Sequence, residues 1–272
     1  MLLLNLSKTK AFIKKDFIIE SSYKIAFIIT LINSTFPVIS YFFVGKLINS
    51  HNTGLLEKYG SNYFDFVLIG VAFSNYFIVS INTFSSVIKR AQMAGCLEAI
   101  LSSQTDPRSV VLLSTFYSFL SALVQLLIAF AIGILFFHFS LDRMNVLSTL
   151  VIFILSMFVF IGLGILSASG IILFKQAEPV SWVISAVSTL LCGAIYPVRI
   201  MPLWLQYLSA LIPVSYSLEG LRLAILQGYS LDRLVAPALV LFFSAVIIFP
   251  VSLYIFDRTV EKGKREGTLM QY

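Results

Sequence analysis

Six apolar stretches, at residues 25–48, 65–86, 111–137, 146–173, 180–200 and 235–256, each supply the roughly 20 residues that a helix needs to cross the hydrocarbon core of a bilayer. That feature leaves little freedom: the expected fold is an all-α integral membrane bundle with six transmembrane helices. Composition agrees. Hydrophobic residues make up 58%, charged residues 12%, and the mean hydropathy is +0.94, whereas a soluble domain carries about twice that charged fraction. The charges collect between the apolar runs, so no soluble domain of any size is expected. Any cytosolic chemistry must then come from a partner.

The net charge of +6 does not point to nucleic acid, because the basic residues border the spans, where they act as topology signals and contacts to anionic lipid. With six spans both termini share a side. Of the 19 Lys and Arg, 13 fall on that side and 6 on the other, so both termini are expected in the cytoplasm. Cys96 lies in a predicted loop and Cys192 in a predicted span, with no disulfide framework and no metal spacing. The first residues, MLLLNLSKTK, place a very short apolar run before the lysines, the reverse of a secretory signal, so the N-terminus is expected to be kept. Over residues 6–20, Leu6, Ile13 and Phe17 share one helical face while Lys8, Lys14 and Lys15 lie elsewhere. This predicts an amphipathic helix on the inner membrane surface. The chain divides into this cytoplasmic helix (1–24), the bundle (25–256) and a cytoplasmic tail (257–272), one domain over 1–272.

After the fifth span, AIYPVRIMPLWLQYLSALIPVSYSLEGLRLAILQG (194–228) is apolar but interrupted by Pro197, Pro202 and Pro213. Each proline removes a backbone donor and discourages helix in the residue before it. The segment therefore predicts two short helices, near 203–212 and 217–227, too short to cross and so re-entrant or interfacial. Pro202 suits a first-turn position. Glu219 and Arg222 stand three apart, so their side chains can meet on one face and partly neutralise each other. A structural pair is the simpler reading, since one carboxylate without a second acid, a His or a nucleophile makes no reaction centre. Trp204, Tyr207 and Tyr216 fit the aromatic belt of the outer interface.

These residues carry a resemblance. Gly193, Pro197, Pro202, Trp204, Leu205, Gln206, Leu208 and Pro213, followed by SLEGLRLAILQG, resemble the signature region of ABC-2 type transporter permeases, in particular the membrane subunits of bacterial drug and antibiotic exporters. A second stretch, AGCLEAILSSQTDPRSVVL (94–112), is similar to the family's coupling segment after the second span, with Cys96 in place of the usual Thr and Pro107 displaced from the usual Thr-Pro pair. The resemblance implies an ATP-driven exporter in the bacterial plasma membrane. It also implies a separate ABC ATPase in two copies, which binds the ATP and Mg, and a second permease copy or paralogue. Consistently, no G-x-x-x-x-G-K-[ST] phosphate loop occurs and no cofactor is expected in this chain.

In that reading the loop from Lys89 to Pro107 docks on the ATPase, with Gly95, Glu98 and Leu101 as the coupling positions, Glu98 charged and Leu101 apolar on one face. Two stripes at helical spacing, Asn75, Val79, Asn82 and Ser86 in span two and Ser181, Ser185, Ser188 and Cys192 in span five, can line a path or pack helices. Gly164 and Ala168 form a small-xxx-small pair for packing. Asn33, Ser34 and Thr35 precede Pro37, where they can satisfy backbone groups at a kink. Apolar walls with few polar groups suit an amphipathic or lipid-like cargo moved outward. Two other classes compete. An ion-coupled secondary transporter needs ionisable groups near the midplane, which spans two to five lack. An intramembrane lipid enzyme would have to use Glu219, His138 or Asp142 without a paired carboxylate or an activated nucleophile.

Overall fold

The computed structural model describes residues 18, 24–49, 56–60, 62–93, 95, 107–174, 183, 186–187 and 189–266. Among them no strand occurs. The helices are α1 (Lys24–Asn49), α2 (Tyr63–Met93), α3 (Pro107–Phe137), α4 (Val146–Phe174), α5 (Leu203–Leu211), α6 (Pro213–Leu226) and α7 (Val235–Glu266). Four of them, α2, α3, α4 and α7, are long and apolar enough to cross a membrane, and α5 with α6 pass the same test as a pair bent by 89°. Helix α1 holds Pro37, and its apolar stretch Phe36–Leu47 is shorter. The side chains of residues 33–35 lie outside the described residues, as do residues 1–17 of the expected amphipathic helix and residues 180–182, 184–185 and 188 of the fifth apolar run.

Sequence and helix ends agree closely at α1, α3 and α4. Helix α2 runs seven residues beyond its expected end at 86, to Met93, and α7 runs ten beyond 256, to Glu266, because the mostly polar residues there continue the helix, in α7 through Gly263. Gly95 then ends the α2 path: it sits at φ 64, a left-handed conformation that costs glycine little, and its N–H reaches the carbonyl of Gln92 at 2.8 Å. Pro107 opens α3, where the missing N–H has no intrahelical partner to lose.

Lipid tails are as apolar as leucine, so helices in a bilayer associate through close packing and interhelical hydrogen bonds rather than through a hydrophobic drive. Helix α2 occupies the centre, with Phe66, Ile69, Phe77, Ile81 and Phe84 at most 2% exposed. It meets α4 through a stacked Phe77–Phe160 pair, centroids 4.1 Å apart, and through a Ser85–Ser167 hydroxyl bond of 2.6 Å. Gly164 fits against the Phe84 ring, where a Cβ would come within 2.4 Å, and Ala168 is fully buried, so the small pair packs as expected. Helices α1 and α3 flank α2 on one side, and α7 packs along α4. The outward faces, such as Phe116, Leu120, Val124 and Leu127 of α3 and Phe242, Phe243, Val246 and Ile247 of α7, are exposed apolar surface that suits lipid.

The connections α1–α2, α3–α4 and α6–α7 gather at one end of the bundle. The N–H of Asn145 donates to the carbonyl of Ala224 at 2.9 Å, and Gly228, at φ 66, lies so close to the carbonyl of Arg143 that a Cβ would approach it to 2.3 Å. The broken stretch sits at this same end.

Candidate functional site

The three prolines fall at the breaks. Pro197 is extended (φ −62, ψ 136) ahead of a single turn at Val198–Ile200, Pro202 is extended (φ −53, ψ 147) ahead of α5, and Pro213 is the first residue of α6. Pro202 thus caps α5 from one position outside the first turn. The residue before Pro213, Ile212, is pushed to extended geometry (φ −95, ψ 116) and serves both as the last cap of α5 and the first of α6. One residue therefore makes the 89° corner. Helix α6 begins four residues earlier than the periodicity predicts, since Pro213 at N1 is a favourable start and Ser215 and Ser217 do not break the helix.

The two short helices differ in surroundings. Helix α6 is inside the bundle: Leu218, Leu221 and Ala224 are fully buried, Gly220 faces Ile152 of α4, and Ser217 shares a 2.8 Å hydroxyl bond with Ser156. Helix α5 turns its apolar surface outward, with Leu203, Trp204, Tyr207 and Leu211 all more than 60% exposed. An amphipathic aromatic helix of this kind suits a membrane interface.

What joins the stretch to the bundle is a set of helix-end carbonyls. Residues 189–191 are helical and 192–193 form a turn, with Gly193 left-handed at φ 70. The last carbonyls of a helix have no partner within it and carry partial negative charge. Here each described one finds a donor. Tyr196 Oη donates to Leu190 O at 3.0 Å, and Ser209 Oγ donates to Leu191 O at 2.7 Å. Arg222 Nη1 donates to Gly193 O at 2.9 Å and Nη2 to Ala194 O at 2.7 Å. Its Nε donates to Phe66 O of α2 at 3.1 Å, and its guanidinium stacks 3.5 Å from the Phe66 ring centroid. Three carbonyls and a ring face thus replace a carboxylate as the counterweight to a cation that is 3% exposed. Gln206 fastens α5 to the preceding turn by donating to Met201 O at 2.8 Å.

Gly70 makes this arrangement possible. A Cβ there would lie 2.0 Å from Ala194 O and 2.1 Å from Arg222 Nη2, so any side chain displaces the turn and the arginine together.

The expected Glu219–Arg222 pairing is corrected. Glu219 pairs with Lys58, from the α1–α2 connection, and Arg222 takes backbone carbonyls. The reason is direction: Arg222 faces the buried helix end, where fixed carbonyl dipoles need a donor, while Glu219 faces a partly open cavity. That cavity, about 240 Å³, is lined by Lys58, Tyr59, Arg199, Gln206, Glu219 and Arg222 among others. Burial pushes the Tyr59 hydroxyl pKa upward, and the charge of Glu219 adds to that shift.

The remaining predicted positions divide. Asn75 is exposed and lines a second cavity with Val79, Asn82 is half-buried, and Ser86 is exposed and donates to Thr83 O at 2.8 Å. Glu98 and Leu101 of the coupling segment and Ser181, Ser185 and Ser188 of span five lie outside the described residues. His138 is exposed at φ 58 where α3 ends, and Asp142 accepts from Ser140 Oγ at 2.7 Å. Among the described residues no three His, Cys, Asp or Glu side chains cluster as metal ligands would. Sequence reasoning missed Lys58, Gly70, Phe66 and Gln125. Of these Lys58 left a signal as a lone cation in a short connection, and Gln125 as a polar residue inside an apolar run.

An apolar helical bundle with several membrane-capable helices, broken by prolines at a corner that an arginine anchors, defines a multi-pass membrane protein. The chain matches the profile of the ABC-2 type transporter family (ABC2_membrane) over residues 7–226, most of its length, and it belongs to that family. It is therefore an ABC transporter permease, from a family of membrane transport subunits that normally work with an ABC ATPase and are generally not catalytic themselves. None of the curated proteins matches the chain.

Proposed function

We propose that this chain is the membrane subunit of an ATP-driven exporter in the bacterial plasma membrane, moving an amphipathic drug, antibiotic, peptide or lipid-like molecule outward. Two ATPase subunits bind ATP and Mg, and two permease copies, identical or paralogous, form the path. Six spans cross the membrane, the fifth over residues 180–200, with both termini in the cytoplasm. Helices α5 and α6 dip back from the outer surface as a re-entrant pair.

One observation carries the mechanism: the end of the fifth apolar run is held by donors from the broken stretch, with Arg222 tying it to α2. A force applied to the fifth or second span from the cytoplasmic side reaches the outer corner through these bonds rather than through flexible loop. Closure of the ATPase on the segment containing Gly95, Glu98 and Leu101 is the source of that force. Movement of the second span draws Phe66 away from Arg222, loosens the corner and opens the outer end.

The test is reconstitution with the ATPase that copurifies with a tagged copy. ATP-dependent release of an amphipathic cargo on the outer side, lost when Arg222 is replaced while ATP binding by the partner is retained, is the expected result. Cargo movement by the permease without ATPase would sink the proposal.

A further inference from the structure

The second cavity lies away from the corner, between α1, α2 and α3, and encloses about 270 Å³. Its wall is mostly apolar, with Val38, Ala122 and Leu126 buried in it, and none of the described residues that line it is charged. Four polar residues interrupt that wall: Asn75 and Tyr76 from α2, Gln125 from α3 and Tyr41 from α1.

Their depth is informative. Asn75 stands twelve residues after Tyr63, the first residue of α2, and Gln125 twelve before Phe137, the last of α3. These two helix ends adjoin, since Phe64 and Phe137 have ring centroids 5.6 Å apart. At about 1.5 Å per residue both amides lie roughly 18 Å in from that end, close to the middle of a core about 30 Å thick. Polar side chains are costly at that depth and face protein or a cavity. Asn75 is nevertheless exposed, at the wall of a cavity shaped by small and branched residues.

From this we infer a midplane binding site for an uncharged amphiphile that enters from the lipid, its apolar chain against Val38, Ala122 and Leu126 and its hydrogen-bonding group on Asn75. An amide both donates and accepts, so a hydroxyl or ester group satisfies it, while an ionised headgroup finds no counter-charge in this wall. The charged residues Lys58, Arg199 and Glu219 belong to the other cavity. The proposal narrows the cargo class of the exporter reading to molecules neutral at this stage, but the binding itself requires neither ATPase nor transport.

The experiment uses the full chain in lipid nanodiscs and a monoacylglycerol carrying a photoreactive diazirine in its acyl tail. Label is expected on peptides from α2 and α3. Excess unlabelled monoacylglycerol should compete with it, whereas hexadecane, which lacks the hydrogen-bonding group, and the anionic lysophosphatidic acid should compete far less. Asn75→Leu, at an exposed position, is expected to reduce labelling about fivefold, the loss of one hydrogen bond in lipid, and Val79→Phe to reduce it by filling the cavity. Val124→Phe, on the outward face of α3, should leave it unchanged. Equal competition by monoacylglycerol, hexadecane and lysophosphatidic acid, or wild-type labelling in both cavity variants, overturns the proposal. Labelling and competition in the wild-type protein decide the matter even where a variant folds poorly. A failed transport assay with intact labelling would count against the exporter reading alone.

Discussion

The guanidinium of Arg222 lies 3.5 Å from the ring centroid of Phe66 and donates through Nε to the carbonyl of that same residue at 3.1 Å, although 156 positions separate the two in the chain. Ring and backbone of one residue thus seat the side chain of another, and the remaining donors are free to reach Gly193 and Ala194.

Arg222→Ala should be the most damaging single change at this corner. It strips donors from three carbonyls and leaves a void beside Phe66. At about 1–3 kcal/mol for each buried polar group left without a partner, a loss of about 3 kcal/mol or more is expected. Arg222→Lys should rescue little, because an ammonium cannot present a planar fork to carbonyls on separate segments. Thermal unfolding in detergent measures both. Wild-type midpoints would mean the three bonds are dispensable.

Gly70→Ala should cost about 1–3 kcal/mol through overpacking, since its Cβ collides with Ala194 O and Arg222 Nη2. The two substitutions compete for one space. The Gly70→Ala/Arg222→Ala double variant should therefore lose less than the sum of the single losses. Strict additivity in a double-mutant cycle would contradict the shared site.

Ser209→Ala removes the donor to Leu191 O, a bond of 2.7 Å at a residue 1% exposed. A loss of about 1 kcal/mol is expected, because Ser215 can replace it only weakly from 3.5 Å. A hydrogen-exchange rise confined to residues 189–194 and α5 would locate the effect. Uniform loosening across the bundle would not fit.

Glu219→Gln should behave differently from its neighbour. The Lys58–Glu219 pair is 35% and 38% exposed at the side chains, so it contributes at most about 1 kcal/mol, and less in high salt. Protein level should hold while export falls, if the pair serves the opening of the corner. Exchanging the charges as Lys58→Glu/Glu219→Lys should restore part of the activity. Unchanged export in Glu219→Gln would remove the pair from the mechanism.

Glu98→Arg addresses the coupling segment. Reversal of its charge should lower transport-stimulated ATP hydrolysis by the partner severalfold without changing ATP binding. Full stimulation would place the docking contact elsewhere.

Much of this arrangement is legible in the residues themselves. Long apolar runs mark the spans because lipid penalises anything shorter or more polar, and the prolines mark the breaks because a missing N–H and a fixed φ act locally. The start of α6 is misread because serines after Pro213 look like cap residues, yet the proline already supplies the start. The partners of Glu219 and Arg222 are misread for a different reason. Spacing of three residues reports what a helix brings together, but Lys58, Phe66 and the carbonyls at 193–194 arrive from other segments, and a carbonyl leaves no trace in residue type. Gly70 is equally silent, since a glycine inside an apolar run looks like any small residue until something packs on it.

The notch at Gly70 also bears on how this protein can change over generations. A lineage that first gained a side chain at position 70 would be left with a displaced arginine, and one that first lost the arginine would keep an empty hollow. Drift at either site is thus hostage to the other, and among descendants and cousins the glycine and the arginine are expected to be inherited, or abandoned, as a pair.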